Sequence, residues 1–139
     1  MEITANTLQT VAENQNVLFT ETVTSGNCSI IHREGSGITT LRGTTNQCRA
    51  RYKVSFGGNI AIPTGGTVEA ISLAIAINGE AIGTTTMIYT PAAVEEFGNV
   101  FSAIFIDVPR DCCISASVKN ISTQPVEVQN ANLIIERVA

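Results

Sequence analysis

The stretch from Ala70 to Ile77 constrains this chain more than any other. Large aliphatic residues (Ile71, Leu73, Ile75, Ile77) alternate there with small ones (Ala70, Ser72, Ala74, Ala76). A period of two puts the two sets on opposite faces of a β-strand. Asn78-Gly79 follows at once, and Asn-Gly is the strongest short hairpin signal because both turn residues must take a positive φ. A two-residue turn sets Ile75 opposite Ile82, Ala76 opposite Ala81 and Ala74 opposite Gly83. One face of the hairpin is then an aliphatic ridge, most simply half of a sandwich core. The other face is nearly bare: Ala74, Ala76, Ala81 and Gly83 are candidates for a lattice or partner contact, or for a plain outer wall.

The rest of the chain reads the same way. Segments rich in Val, Ile, Thr, Tyr and Phe are separated by Gly, Pro, Asn and Ser at short intervals, and helical periodicity is almost absent. Strands are predicted over 16–24, 28–32, 37–42, 48–56, 59–62, 67–77, 80–89, 100–108, 114–120 and 126–137. Within 48–56, Ala50, Tyr52, Val54 and Phe56 alternate with Arg49, Arg51, Lys53 and Ser55, a half-buried strand with a cationic outer face. Gly57-Gly58 and Gly65-Gly66 read as turns or bulges. Pro91 to Glu96, with Thr90 as N-cap, offers at most one helical turn. About eight to ten strands at this spacing predict an all-β fold, a sandwich or jelly roll of two antiparallel sheets. Residues 1–14 are expected to form a polar N-terminal arm, and residues 15–139 a single domain.

Only 14% of the residues are charged, against about 25% in ordinary globular domains. Extensive subunit contact explains so few charges economically. The net charge of −4 comes without any Lys/Arg cluster in sequence, which argues against nucleic-acid binding. No run of 18 apolar residues occurs to form a membrane span. The N-terminus lacks the basic and apolar regions of a signal peptide. The expected location is therefore a virion or a cell or spore surface, reached from the bacterial cytoplasm without a signal peptide.

Catalysis lacks a constellation. Cys28 and His32 share a strand face but lie roughly 13 Å apart along it, too far to ligate one metal. No Cys-x-x-Cys pair occurs among Cys28, Cys48, Cys112 and Cys113, so no metal site is expected. A disulfide of Cys28 with Cys48, or with one of the vicinal pair, needs an oxidising compartment that the missing signal peptide argues against. A Cys–His dyad would have only His32 as base, with no acid to orient it. Glu95-Glu96 reads as solvated surface rather than an acid–base pair. The expected activity is non-enzymatic, with no cofactor.

Four segments carry a resemblance. They are Val11 to Phe19 (VAENQNVLF), Ile31 to Ile38 (IHREGSGI), Arg51 to Ile60 (RYKVSFGGNI) and Ala131 to Arg137 (ANLIIER). In this order they resemble the C1q/TNF-like jelly-roll domains of Firmicutes and their phages, including the C-terminal domain of collagen-like spore-surface glycoproteins. The resemblance implies a ten-stranded jelly roll that assembles as a compact homotrimer, with the sheet holding the first and last strands around the threefold axis. Carried over, the axial candidates are Phe19, Tyr52, Val54 or Phe56, Phe105, and Leu133 or Ile135. This chain has no Gly-X-Y stalk, which tilts the reading towards a phage virion component, in head, fibre or tail, over a spore filament tip. The expected partners are further copies of itself and capsid or fibre proteins or a host-surface ligand. The alternative is a carbohydrate- or ligand-binding module of the same fold, against which the sparse aromatics argue.

Overall fold

The computed structural model describes residues 1–139 and contains twelve strands. In chain order they are β1 (Glu2–Ala5), β2 (Gln9–Val11), β3 (Glu21–Thr24), β4 (Ile30–His32), β5 (Thr39–Arg42), β6 (Arg49–Ala61), β7 (Ile71–Ile77), β8 (Glu80–Ala81), β9 (Met87–Tyr89), β10 (Gly98–Pro109), β11 (Cys113–Asn120) and β12 (Val126–Arg137). They form two six-stranded sheets. The first runs β10-β6-β12-β1-β3, with β2 beside β12; the second runs β4-β5-β11-β7-β8, with β9 beside β7. Every pairing is antiparallel. The predicted all-β sandwich of two antiparallel sheets is the fold observed.

The hairpin forms in the expected register. Ala76 pairs with Ala81, and the Ile82 amide donates to the Ile75 carbonyl at 2.9 Å. Asn78 and Gly79 take φ of 52° and 84°, as a type I′ turn requires. Asn78 also ties the tip down, its Oδ1 accepting from the Ser115 amide at 3.0 Å. Past Ile82 the expected strand breaks, and Gly83–Thr85 make a 3-10 turn. Thr85 fills the place of the lost partner. Its hydroxyl accepts from the Ile75 amide at 2.9 Å and lies 3.2 Å from the Ile75 carbonyl, standing in for a strand partner.

Residues 1–14 do not form an arm. Ile3, Ala5 and Val11 are fully or nearly buried, because β1 and β2 lie along β12 with these residues turned inward. Three inward side chains at strand spacing anchor the segment more firmly than its polar composition suggests. The segments 48–56 and 59–62 fuse into β6, with Gly57-Gly58 inside it rather than at a turn. The irregularity sits opposite, where β12 slips register between Gln129 and Asn132 and Asn130 takes φ of 56°. That is a bulge facing Gly58. Pro91 to Glu96 forms no helix.

The ridge does its expected work. Ile71, Leu73 and Ile75 join Phe19, Tyr52, Phe56, Leu133 and Ile135 in one buried cluster between the sheets. Burying such side chains contributes about 1.5–3 kcal/mol each.

Candidate functional site

The outer face of the first sheet follows from its registers. Along β10, Val100, Ile106 and Val108 turn inward, so Phe101, Ala103 and Phe105 turn out. Phe101 lies beside Gly57, then Asn132, Thr4 and Glu21 across the sheet. The next row is Ala103, Ser55, Ile134, Glu2 and Thr24. A third holds Phe105, Lys53 and Glu136. Phe101 is 66% exposed and Phe105 60%. Two largely bared phenylalanines on a wall of Gly, Ser, Ala and Ile form a flat apolar patch.

Charge on this face is sorted by side. Arg49, Arg51 and Lys53 lie on β6, while Glu136, Glu2 and Glu21 lie on β12, β1 and β3. Asp107 on β10 answers the arginines, with Arg51 at 2.7 Å and Arg49 at 3.2 Å. The hydrogen bond from Arg51 holds the Asp107 carboxyl below its ordinary range, and the same contact raises Arg51.

Of the seven axial candidates only Phe105 lies on this face. Phe19, Tyr52, Val54, Phe56, Leu133 and Ile135 are buried between the sheets of a single chain and offer a neighbour nothing. The inward half of the β6 alternation, Ala50 to Phe56, is already consumed by the sandwich core. Any contact around an axis must use the other half. Phe101, Ala103 and Ile134 share this face with Phe105 and were not among the candidates. The signal lay in 100–108, where both alternating sets are largely apolar, the mark of a strand covered on both faces.

The bare face of the hairpin is not a free surface. Ala74 and Ala76 are wholly buried, although they face away from the core. Ser117 pairs with Ala76 and Lys119 with Ala74, and the Lys119 Nζ reaches the Gly79 carbonyl at 3.1 Å, laying its stem along the wall. Ala81 is half-buried, and Gly83 has left the ladder for the 3-10 turn.

No group of three or more His, Cys, Asp or Glu side chains is placed to hold a metal ion. His32 Nε2 lies 2.8 Å from the Ser36 carbonyl, and its ring packs edge-on against Phe19. All four cysteines are exposed, unbridged thiols. Glu95 and Glu127 do meet, which the sequence did not suggest. Glu127 is 5% exposed, and its Oε1 has no donor among the neighbouring groups. Burial and the adjoining Glu95 push its carboxyl up to about 7. Glu95 is lowered, first by the hydrogen bond from Glu127 and then by Thr64, whose amide and hydroxyl both donate to its Oε1 at 3.0 Å. The two carboxyls are thus pushed in opposite directions, Glu127 up and Glu95 down.

No protein-family model and no curated protein matches this sequence. Among solved structures the globular domain of the zebrafish complement 1qA protein aligns over 96% of this chain and 93% of its own, with TM-score 0.64 and 9% identity. The fold is a C1q-like jelly roll. Weaker likenesses are the C-terminal domain of EclA, a sugar-binding protein, at TM-score 0.44, 14% identity and coverage of 95% and 79%, and a family 35 carbohydrate-binding module from Clostridium thermocellum. The latter scores 0.38 at 11% identity over 96% of this chain and 98% of that one.

Proposed function

We propose that this C1q-like chain is a non-enzymatic structural module. Three copies close into a compact homotrimer that decorates a phage virion, in head, fibre or tail, or a related bacterial surface. The observation that carries the self-association is the exposed Phe101–Ala103–Phe105 strip beside Gly57, Ser55 and Ile134. Contiguous apolar surface of this kind marks an interface. The sorting of charge supports a ring: a head-to-tail contact joins two different surfaces, and here the basic β6 side of one copy meets the acidic β12–β1–β3 side of the next. A chain only 14% charged has ample uncharged surface to bury in this way. The ligand-binding alternative is carried by a different part of the molecule, the cleft beside Arg42 and Arg110.

Size-exclusion chromatography with light scattering tests the assembly. The expected mass is about three times the 14.7 kDa of the chain. The double variant Phe101→Asp/Phe105→Asp is expected to run as a monomer with unchanged strand content. A wild-type monomer at micromolar concentration, or a double variant that stays trimeric, refutes the proposal. The particle is tested by flanking genes: capsid and tail genes support it, and their absence counts against it.

A further inference from the structure

Six of the chain's eight basic residues gather at one end of the sandwich. Arg42 ends β5 beside Cys113, and Arg49, Arg51 and Lys53 open β6 opposite Pro109, Asp107 and Phe105. Arg110 sits in the turn that follows, and Arg137 pairs with Tyr52. Four of the twelve acidic residues, Glu80, Asp107, Asp111 and Glu136, share that end. Six cations against four anions leave it net positive on a chain of net charge −4. A cleft of about 570 Å³ opens there, between the 42–46 loop and the 110–113 turn.

Backbone hydrogen bonds brace the floor of this cleft. The Gly43 amide donates to the Cys112 carbonyl at 2.8 Å, and the Asp111 amide donates to the Gly43 carbonyl at 3.0 Å. A Cβ on Gly43 would stand 2.1 Å from the Pro109 carbonyl oxygen, so only glycine lets the two loops approach this closely. Beneath it the Tyr52 hydroxyl donates to the Arg42 carbonyl at 2.5 Å, tying the two sheets together.

The guanidiniums of the cleft keep most of their donors free, unlike those of Arg49 and Arg51, which Asp107 already holds. Arg110 meets only Asp111, at 3.9 Å, and the Asp111 side chain is 89% exposed. Arg42 spends one donor on the Cys28 carbonyl at 3.3 Å and keeps the rest of its fork. Thr44, Thr45 and Asn46 complete the wall with hydroxyls and an amide, and no aromatic ring lines it. A neutral sugar would find nothing to stack on. An oxyanion would find two guanidiniums of the planar shape that carboxylates and phosphates match.

We infer that this cleft binds a hydroxyl-bearing oxyanion, a carboxylate or a phosphodiester, held by Arg42 and Arg110, with its neighbouring hydroxyls against Thr44, Thr45 and Asn46. The volume falls within the range of small-ligand sites, and the positive end draws anions towards it. The cleft and the aromatic strip are separate features, so either proposal stands without the other.

Isothermal titration calorimetry of the full chain at low salt tests this with three probes. Trigalacturonate carries carboxylates, a glycerol-phosphate oligomer carries phosphodiesters, and a neutral galactotriose carries neither. At least one anionic probe is expected to bind, several-fold more weakly once salt is raised about tenfold. The probe that binds tells which oxyanion the cleft takes. Arg110→Ala, exposed and outside every structural hydrogen bond except its own amide's, is expected to weaken binding about fivefold or more while leaving the melting temperature unchanged. Absence of binding by both anionic probes, equal binding of the neutral one, or an unchanged affinity in Arg110→Ala overturns the inference.

Discussion

Glu127→Gln isolates one proton. Glutamine keeps the shape of the side chain and can donate to the Glu95 carboxylate as a protonated Glu127 does, but it cannot ionise. In the folded protein the Glu127 carboxyl titrates near pH 7, against an ordinary value of 4.5. The sign follows from linkage. Between these values the folded chain holds a proton that the unfolded chain has released, so stability falls as pH rises. The contribution is complete below about pH 4.5 and is lost as pH passes through 7. Glu95 is shifted the other way and titrates below this window, so it does not mask the effect. Taken in full, the shift from 4.5 to about 7 is worth roughly 3 kcal/mol. Glu95 is exposed, and solvent screening around it reduces the figure to about 1–2 kcal/mol.

For a domain of this size that is a fall in melting temperature of about 3–8 °C. Differential scanning calorimetry at pH 5.5 and pH 8, at one protein concentration so that assembly does not enter, reads it directly. The wild type is expected to melt lower at pH 8, and Glu127→Gln to melt at nearly the same temperature at both. A wild type whose melting temperature rises with pH, or a variant that keeps the wild-type slope, would refute the shared-proton reading. Glu127→Ala is the harsher control. It strands Glu95 and opens a cavity, so it should destabilise at every pH.

Other perturbations separate packing from function. Tyr52→Phe removes a hydroxyl 2.5 Å from the Arg42 carbonyl and 3.3 Å from that of Ser29. The loss is expected to be about 1–2 kcal/mol in urea unfolding, and an unchanged midpoint would deny the hydroxyl a role in joining the sheets. Gly43→Ala forces a methyl against the Pro109 carbonyl and is expected to cost more than about 2 kcal/mol. Gly83→Ala meets nothing within 4 Å and should be neutral or slightly stabilising; equal effects at the two glycines would contradict the geometry of the cleft floor.

The sequence announced the fold because alternation and turn chemistry are local. Ile71 to Ile77 and Asn78-Gly79 specify a strand, a turn and a register within a dozen residues, and the structure keeps that register as far as Ile82, beyond which the 3-10 turn shifts the pairing. What failed was the assignment of faces. An apolar set on a strand says that one side is buried, without saying whether the cover is the opposite sheet or another copy. Tyr52, Val54 and Phe56 satisfied both readings, and the sandwich claimed them. The decisive comparison is between strands: β6 has one apolar set, β10 has two, and only the second set of β10 is left over once the core is full. The same limit hid the cleft and the acid pair. Arg42 and Arg110 are far apart in sequence, as are Glu95 and Glu127, and no local pattern joins either couple. Both are made by chain ends of strands brought together at opposite poles of the sandwich, where loop residues carry chemistry that strand periodicity does not encode.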